Sequence, residues 1–466
     1  MGRSYARSGY VLVAIALFVL TRIYILFAFE PEASDVSVYF GATFQAAELG
    51  KTPYSRELPI EFPPLAWWTM AAARQVSDSD LPPQPALGEI NYARARYVGA
   101  FRSFMAIADV VSFALFLAIV RRRRVEMLPQ AALVYAIATA MLAHVLYDRL
   151  DAGLLLSLLI TLDCWLRSTA GDRHAHVWRM AAYAAAGLGV AFKVIPVLVV
   201  PFLLLADLKH PDALKRLATS MAAFLAGVLV PFGIQFMLSG PGVLHLVGFH
   251  TGRGVQLESM LATIMAAGQW LGLPATLELW EGGVNLTGEL ASPLIAMSYV
   301  LLAAALGALA YVSLRRGRAH DDGAAIRLAC VAVAGSVIVS KVFSPQYLIW
   351  AMPLLLIASV ELCRTNRAWW IAAAAVLAIA ALTAWLFPHH YFNFRAVPFG
   401  LEPMRVSPER ITLSFVVVGI RNVIYLALVI ALTRRLLKDE PATPDPVRAP
   451  SVTKRPRGST GRRMPG

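Results

Sequence analysis

Eleven apolar stretches, most of them close to the roughly 20 residues that one bilayer crossing needs, commit this chain to a membrane. They run 10–29, 98–120, 128–146, 152–166, 180–206, 218–238, 292–314, 325–343, 346–362, 368–387 and 411–433. Basic clusters fall between them: Arg121–Arg124, Arg167 with Arg173, Lys209 with Lys215 and Arg216, Arg315 with Arg316 and Arg318, Arg364 with Arg367, and Arg434 with Arg435 and Lys438. Lys and Arg collect in short cytoplasmic loops, so each cluster marks an inward link. Parity then revises the count. Arg173–Arg179 and Lys209–Arg216 both read as inward, so 180–206 must cross twice, as a hairpin broken near Lys193-Val-Ile-Pro196. Proline removes a helix donor, and irregular backbone is tolerated at depth only inside protein or beside a wet cavity. Ser344-Pro345 divides 325–362 in the same way. The expectation is an all-α membrane protein of about twelve transmembrane helices, multi-pass, with both termini cytoplasmic.

Charge supports this reading and excludes others. Only 15% of residues are charged and 58% are hydrophobic, against about 25% charged in a soluble domain. The formal net charge of +13 is spent on the inward links, which makes the lipid bilayer a partner and nucleic acid not one. Cys164, Cys330 and Cys363 lie in or at the cytoplasmic ends of apolar runs, with neither zinc spacing nor a disulfide framework. No small-residue cleavage site follows Phe29, so the first segment reads as an anchor. Residues 1–438 read as one transmembrane domain, and 439–466 as a disordered basic cytoplasmic tail rich in Pro, Arg and Ser.

Three outward loops are long: Glu30–Tyr97, Ser239–Ala291 and Pro388–Arg410. The first opens on Glu30-Pro-Glu32-Ala-Ser-Asp35, at the membrane boundary, and 35–49 reads as an amphipathic helix along the surface. The second contains His250-Thr-Gly-Arg253-Gly-Val-Gln-Leu-Glu258 and a helix candidate over 260–271. The inward loops leave no room for a nucleotide-binding domain, and no phosphate-cradling Gly-rich loop, zinc pair or nucleophile elbow is present. A transferred group would have to arrive on a membrane-soluble carrier.

Ionisable residues inside spans are costly and raise the functional prior: Arg22, Arg102, Asp109, Asp163, Lys193, Lys341 and Arg421. Asp163 lies near a cytoplasmic end and reads as structural. Arg22 and Asp109 suit pairing between spans as well as chemistry, and Arg421-Asn422 suits a packing network. Lys193 and Lys341 sit at outward hairpin tips beside prolines, where a ligand role competes with snorkelling. Asp35 could be a base or simply an N-cap. Tyr147-Asp148-Arg149-Leu-Asp151 is either a solvated turn or an acidic wall of the same cavity, and Asn285-Leu-Thr287 matches a glycosylation acceptor.

Asp35-x-x-x-Tyr39, Gly50-x-x-Pro53-Tyr54 and Phe62-Pro63-Pro64-Leu65 together resemble the first outward loop of the GT-C class of multi-span glycosyltransferases. Lys193-Val-Ile-Pro196, the His250…Arg253…Glu258-Ser259 run and Lys341-Val-Phe-Ser-Pro345-Gln346-Tyr347-Leu-Ile-Trp350 resemble glycosyltransferase family 87 and its relatives, which include polyprenyl-phosphate-mannose-dependent α-mannosyltransferases. The motifs occur in order from the first span to about the tenth. The resemblance implies a GT-C fold and inverting transfer of a sugar, mannose above others, from a polyprenyl-phosphate donor to a glycolipid or glycan acceptor on the outer face of the cell membrane. It implies Asp35 as catalytic base, and Lys193, His250, Arg253, Glu258, Lys341 and Gln346 as donor-phosphate or substrate ligands. Glu32 and Asp35 do not form an Asp-x-Asp pair, which argues against the divalent metal some GT-C enzymes use; no metal ligand and no resident cofactor are assigned. The competing expectations are a transporter or flippase of lipid-linked glycans and a non-catalytic assembly subunit.

Overall fold

The computed structural model describes residues 2–31, 34–77, 85–171, 173–246, 254–269, 271–280, 283–315, 322–390, 404–405 and 408–438. Glu32, His250, Arg253 and the tail 439–466 therefore lie outside the described residues.

Helix α1 (Gly2–Phe27) is a first crossing, and its end opens the long-loop end of the bundle. Two helices follow there, α2 (Val36–Glu48) and α3 (Pro64–Val76). The first is the helix expected over 35–49. The second was not anticipated: Pro63 is extended and Pro64 occupies the first turn, where a missing N–H costs nothing. Helix α4 (Leu87–Arg124) begins well outside its apolar stretch, where Glu89 accepts from the Ala86 N–H at 2.7 Å. It ends on four arginines, which suit the negative end of a helix. The chain returns through α5 (Leu128–Ala140) and the single turn α6 (Ala143–Leu146), then descends in α7 (Asp151–Ser168).

Both anticipated hairpins are present. Helix α8 (Ala175–Phe192) stops where Lys193 turns extended, and the chain goes back through a 3₁₀ turn (Ile195–Leu198) and α9 (Val200–Asp207). Helix α13 (Asp322–Val339) and helix α14 (Tyr347–Leu362) are parted by the Lys341–Gln346 turn. Between these hairpins lie α10 (Ala213–Ser239), α11 (Met260–Gln269) and α12 (Ala291–Arg315); α15 (Asn366–Trp385) and α16 (Pro408–Lys438) complete the bundle. Among the described residues, with α6 counted into α5 and the 3₁₀ turn into α9, twelve helical segments occupy the expected crossings, and six stretches have the length and apolar composition of a span. The chain is a multi-pass, mainly α-helical membrane protein.

Helix α14 is buried on every side, as expected of a helix that is apolar all round. It packs against α4, α5, α7, α13, α15 and α16. By contrast α1, α10 and α12 leave most of their apolar surface exposed, which makes them the lipid-facing periphery. The short-loop end is tied by ion pairs: Arg123 to Glu361 at 2.5 Å, and Arg122 and Arg167 to Asp163. Within the bundle Arg22 bonds Asp109 at 2.8 Å and Thr139 at 2.5 Å, while Tyr147 donates to Asp109 at 2.9 Å. These two intramembrane charges answer each other.

An addition to the all-α expectation is a four-stranded antiparallel sheet at the long-loop end, ordered β1 (Val255–Gln256), β3 (Gly283–Gly288), β2 (Ala275–Trp280) and β4 (Met404–Arg405). Asn285 is buried in β3 against Gln256. A burial of this kind does not suit a glycan acceptor.

Close approach of α8 and α10 depends on glycine. A Cβ on Gly187 would lie 2.2 Å from the Phe224 carbonyl oxygen and 3.0 Å from the Gly227 Cα. Small residues let membrane helices touch backbone to backbone. Gly187→Ala should therefore cost about 1–3 kcal/mol by overpacking, read as a lower melting temperature in detergent. Gly233→Ala on α10, where a Cβ meets nothing within 4 Å, should leave melting unchanged or raise it. Equal melting of the two variants would overturn the packing argument.

Candidate active site

The start of α2 separates two jobs that one aspartate could have shared. Asp35 holds the N-cap position, yet its side chain makes no capping bond. Its carbonyl oxygen accepts from the N–H groups of Val38 and Tyr39. The side-chain bonds come from Ser34, whose hydroxyl accepts from the Val36 N–H at 3.2 Å and donates to Asp148 at 2.6 Å. The Asp35 carboxylate is left 44% exposed and ion-paired with Arg149.

Arg149 comes from the turn between α6 and α7, and that turn is not solvated: Asp148, Arg149 and Asp151 are all buried. Asp148 accepts from Arg102 at 3.2 and 3.0 Å. Asp151, the first residue of α7, accepts from Lys193 at 2.7 Å and from the Trp350 indole at 2.9 Å. The Lys193 ammonium also lies 4.9 Å from the centre of the Tyr347 ring. Three carboxylates and three cations from the start of α2, α4, the α6–α7 turn with the start of α7, and the tip of the α8–α9 hairpin thus alternate at the long-loop end. The Arg149 guanidinium keeps one unsatisfied donor, Nε.

A cavity of about 330 Å³ adjoins this cluster. Tyr39, Tyr54, Glu61, Phe62, Trp67 and His245 are among its walls. Tyr54 sits at a positive φ of 64° and donates to the Phe62 carbonyl at 2.7 Å. Its own carbonyl presses on Gly242, where a Cβ would stand only 2.0 Å away, so that position needs glycine. Tyr39 belongs to both regions. Burial, and after it the Asp35 carboxylate, pushes its phenol well above the ordinary value, so it remains an O–H donor.

The remaining expected ligands are distributed. Lys341 is buried, its carbonyl accepts from the Gln256 N–H at 2.9 Å, and its ammonium lies 5.9 Å from the centre of the Tyr299 ring. Gln346 precedes α14, and its side chain accepts from Ser344. Glu258 has no exposure and pairs with Arg421 of α16 at 2.5 Å. Arg421 and Asn422 both donate to the Glu258 carbonyl, at 2.6 and 3.1 Å. Burial raises the Glu258 carboxyl, and Arg421 opposes that rise. This network joins the second long loop to the last span, apart from the contacts around Asp35. The residues that sequence reasoning left unassigned are Arg102, Asp148, Arg149, Asp151 and Trp350. Their signals were weak: Arg102 stood out only as a charge inside a span, Trp350 only as the end of the Lys341 motif, and the acid-rich Tyr147–Asp151 turn could not be told by spacing alone from a solvated loop.

No family model matches the chain, and no curated protein matches it. Solved structures do show likeness. ArnT from Cupriavidus metallidurans, bound to undecaprenyl phosphate, is 15% identical over 92% of this chain and 78% of its own, at a TM-score of 0.48. The same protein in the apo state gives 15% identity, 93% and 78% coverage, and 0.47. The archaeal oligosaccharyltransferase AglB from Archaeoglobus fulgidus, in complex with an inhibitory peptide and a dolichol-phosphate, gives 13%, 92% and 56%, and 0.37. What this site can do has to come from its own residues.

Proposed function

We propose that the protein is a GT-C-type glycosyltransferase that moves a sugar, with inversion, from a polyprenyl-phosphate carrier to a hydroxyl of a glycolipid or glycan. The supporting observation is the exposed Asp35 carboxylate, freed of capping by Ser34 and held by a buried arginine beside an aromatic cavity. The resemblance of the surrounding motifs supports the same reading. Residues 1–438 form the transferase domain in this proposal, and the long-loop end faces outward.

The reaction needs a base, a place for the acceptor and positive charge for the leaving group. Asp35 takes the proton of the acceptor hydroxyl as its oxygen attacks the anomeric carbon; the bond from that carbon to the phosphate oxygen breaks, and the lipid phosphate leaves. Arg149 fixes the carboxylate direction. The cavity walls, with Trp67 and the Tyr39 hydroxyl, suit a sugar ring. Lys193, held by Asp151 yet 27% exposed, meets the departing phosphate. Mannose is the donor sugar we assign, and His250, Arg253, Lys341 and Gln346 are further donor ligands in this proposal.

The decisive assay supplies membranes containing the full-length protein with radiolabelled polyprenyl-phosphate-mannose and with other polyprenyl-phosphate sugars. Label should enter the glycolipid or glycan fraction from the mannose donor, and not in membranes lacking the protein. Transfer from another sugar alone would remove mannose. Absence of transfer from all of them, with lipid-linked glycan crossing the bilayer instead, would replace the enzyme by a transporter.

A further inference from the structure

The short-loop end holds a second cavity, of about 260 Å³, which has no part in the chemistry above. It lies where α8 and α10 begin. Ala175, His176 and Arg179 line it from α8, Lys215 and Arg216 from α10, with Ser168 and Asp212 beside them.

Several independent features favour an anion there. The residues before both helices, His174 and Asp212, make no side-chain capping bond. Two uncapped helix starts bring positive ends to one place. Arg179 is 6% exposed, lines the cavity, and has no hydrogen-bond partner at Nε. Its contacts with Asp207 at 3.6 Å and Thr219 at 3.3 Å are loose for a buried guanidinium, and its one close partner is not a carboxylate but the imidazole ring of His176 on the same helix, at 2.9 Å. Asp207 accepts from Tyr183 at 3.0 Å and Ser220 at 2.9 Å through Oδ2, while its Oδ1, the oxygen nearest Arg179, forms no hydrogen bond. Arg216 stands 3.7 Å from Asp207 and 3.0 Å from Asp212. Arg179, Lys215 and Arg216 thus outnumber Asp207 and Asp212 before His176 is counted.

The helix surface beside the cavity favours a lipid over a free anion. Val177 and Leu214, next in sequence to His176 and Lys215, are 61% and 86% exposed. Apolar side chains this open, at the end of membrane-spanning helices, offer contact to acyl chains and nothing to a soluble ion. We propose that this cavity binds the phosphate of an anionic membrane lipid, with its acyl chains running past Val177 and Leu214. Basic pockets between helices at a cytoplasmic surface suit such headgroups.

The test titrates the purified full-length protein in detergent with phosphatidylglycerol, phosphatidylcholine or inorganic phosphate, and counts bound molecules by native mass spectrometry. Phosphatidylglycerol should bind at least about tenfold more tightly than phosphatidylcholine, and Lys215→Gln should weaken it about fivefold, the worth of one surface cation. Lys438→Gln, at the same end on α16, should change it little. Lys215→Gln removes an exposed side chain, and an unchanged melting temperature would confirm that it folds. Equal binding of the two lipids would overturn the proposal, as would equal losses in the two variants, which mean diffuse attraction. Inorganic phosphate binding as tightly as phosphatidylglycerol would also overturn it, by making the site one for a free anion.

Discussion

Asp35→Asn should lower sugar transfer by about 10²–10⁴-fold, the usual contribution of a positioned proton acceptor, while the protein keeps its melting temperature. The second half of that expectation comes from the structure. Asp35 contributes no side-chain cap to α2; its own half of the ion pair is exposed while Arg149 is buried, and the Asn amide oxygen can still accept from that guanidinium, so the charge is lost but not the hydrogen bond, a cost of about 1 kcal/mol at most. Ser34→Ala is the mirror image. It removes the bonds to Val36 and Asp148 and should cost about 1 kcal/mol of stability, with only a modest effect on turnover. Glu32→Gln tests charge alone, being close in sequence and outside the matching motif. Equal losses in Asp35→Asn and Glu32→Gln would mean that the loop needs negative charge and not a base. Normal turnover in Asp35→Asn would remove the catalytic assignment.

The largest effect on stability is expected at Arg421. Arg421→Met leaves the Glu258 carboxylate buried without its partner, and breaking a buried pair from one side costs about 3–5 kcal/mol. Burial already raises the Glu258 carboxyl, opposed by Arg421, so the variant raises it further. The folded state then holds the proton more tightly than the unfolded chain does. Stability of Arg421→Met should consequently be greatest below the unfolded value near 4.5 and fall as pH climbs through the raised folded value. Thermal unfolding in detergent between pH 5 and 8 would show the gap from the parent protein widening with pH. Adding Glu258→Gln to Arg421→Met removes the ionisable group and should flatten that dependence while recovering part of the loss. A variant that melts like the parent at every pH would show the pair to be energetically idle.

Membrane architecture was legible because its cause is one-dimensional: a span is long, apolar and flanked by charge, and all three properties can be counted along the chain. Lys193-Val-Ile-Pro196 and Ser344-Pro345 betrayed their hairpins because the basic clusters on either side demanded a turn and a proline marked its place; proline alone does not decide it, since Pro231 and Pro353 lie inside α10 and α14. The small sheet was hidden for the opposite reason. β1 and β4 are two residues long, and β4 comes from a separate loop to pair Met404 with Leu277; β2 and β3 are adjacent, with Trp280 opposite Gly283, a local hairpin whose alternating pattern the helix-led reading of the loop passed over. Within the candidate site Asp35 could be picked out by its motif. That Arg149 would meet it, or that Trp350 would reach Asp151 across 199 positions of sequence, depends on how helices stack. Ser34 was overlooked beside a more conspicuous aspartate, although either residue type is a good cap.

The bond between Glu258 and Arg421 spans 163 positions, and β2 finds its outer neighbour only at Met404–Arg405. Synthesis proceeds from the amino terminus, so the second long loop emerges long before either partner exists. During that interval an ionised Glu258 is costly to bury, since the guanidinium that would answer it has not been made. The loop can settle against the Lys341 turn in its final form only when the last helix arrives. In biogenesis α16 is therefore the latch of the bundle: the span least involved in the proposed chemistry decides when the second loop is closed.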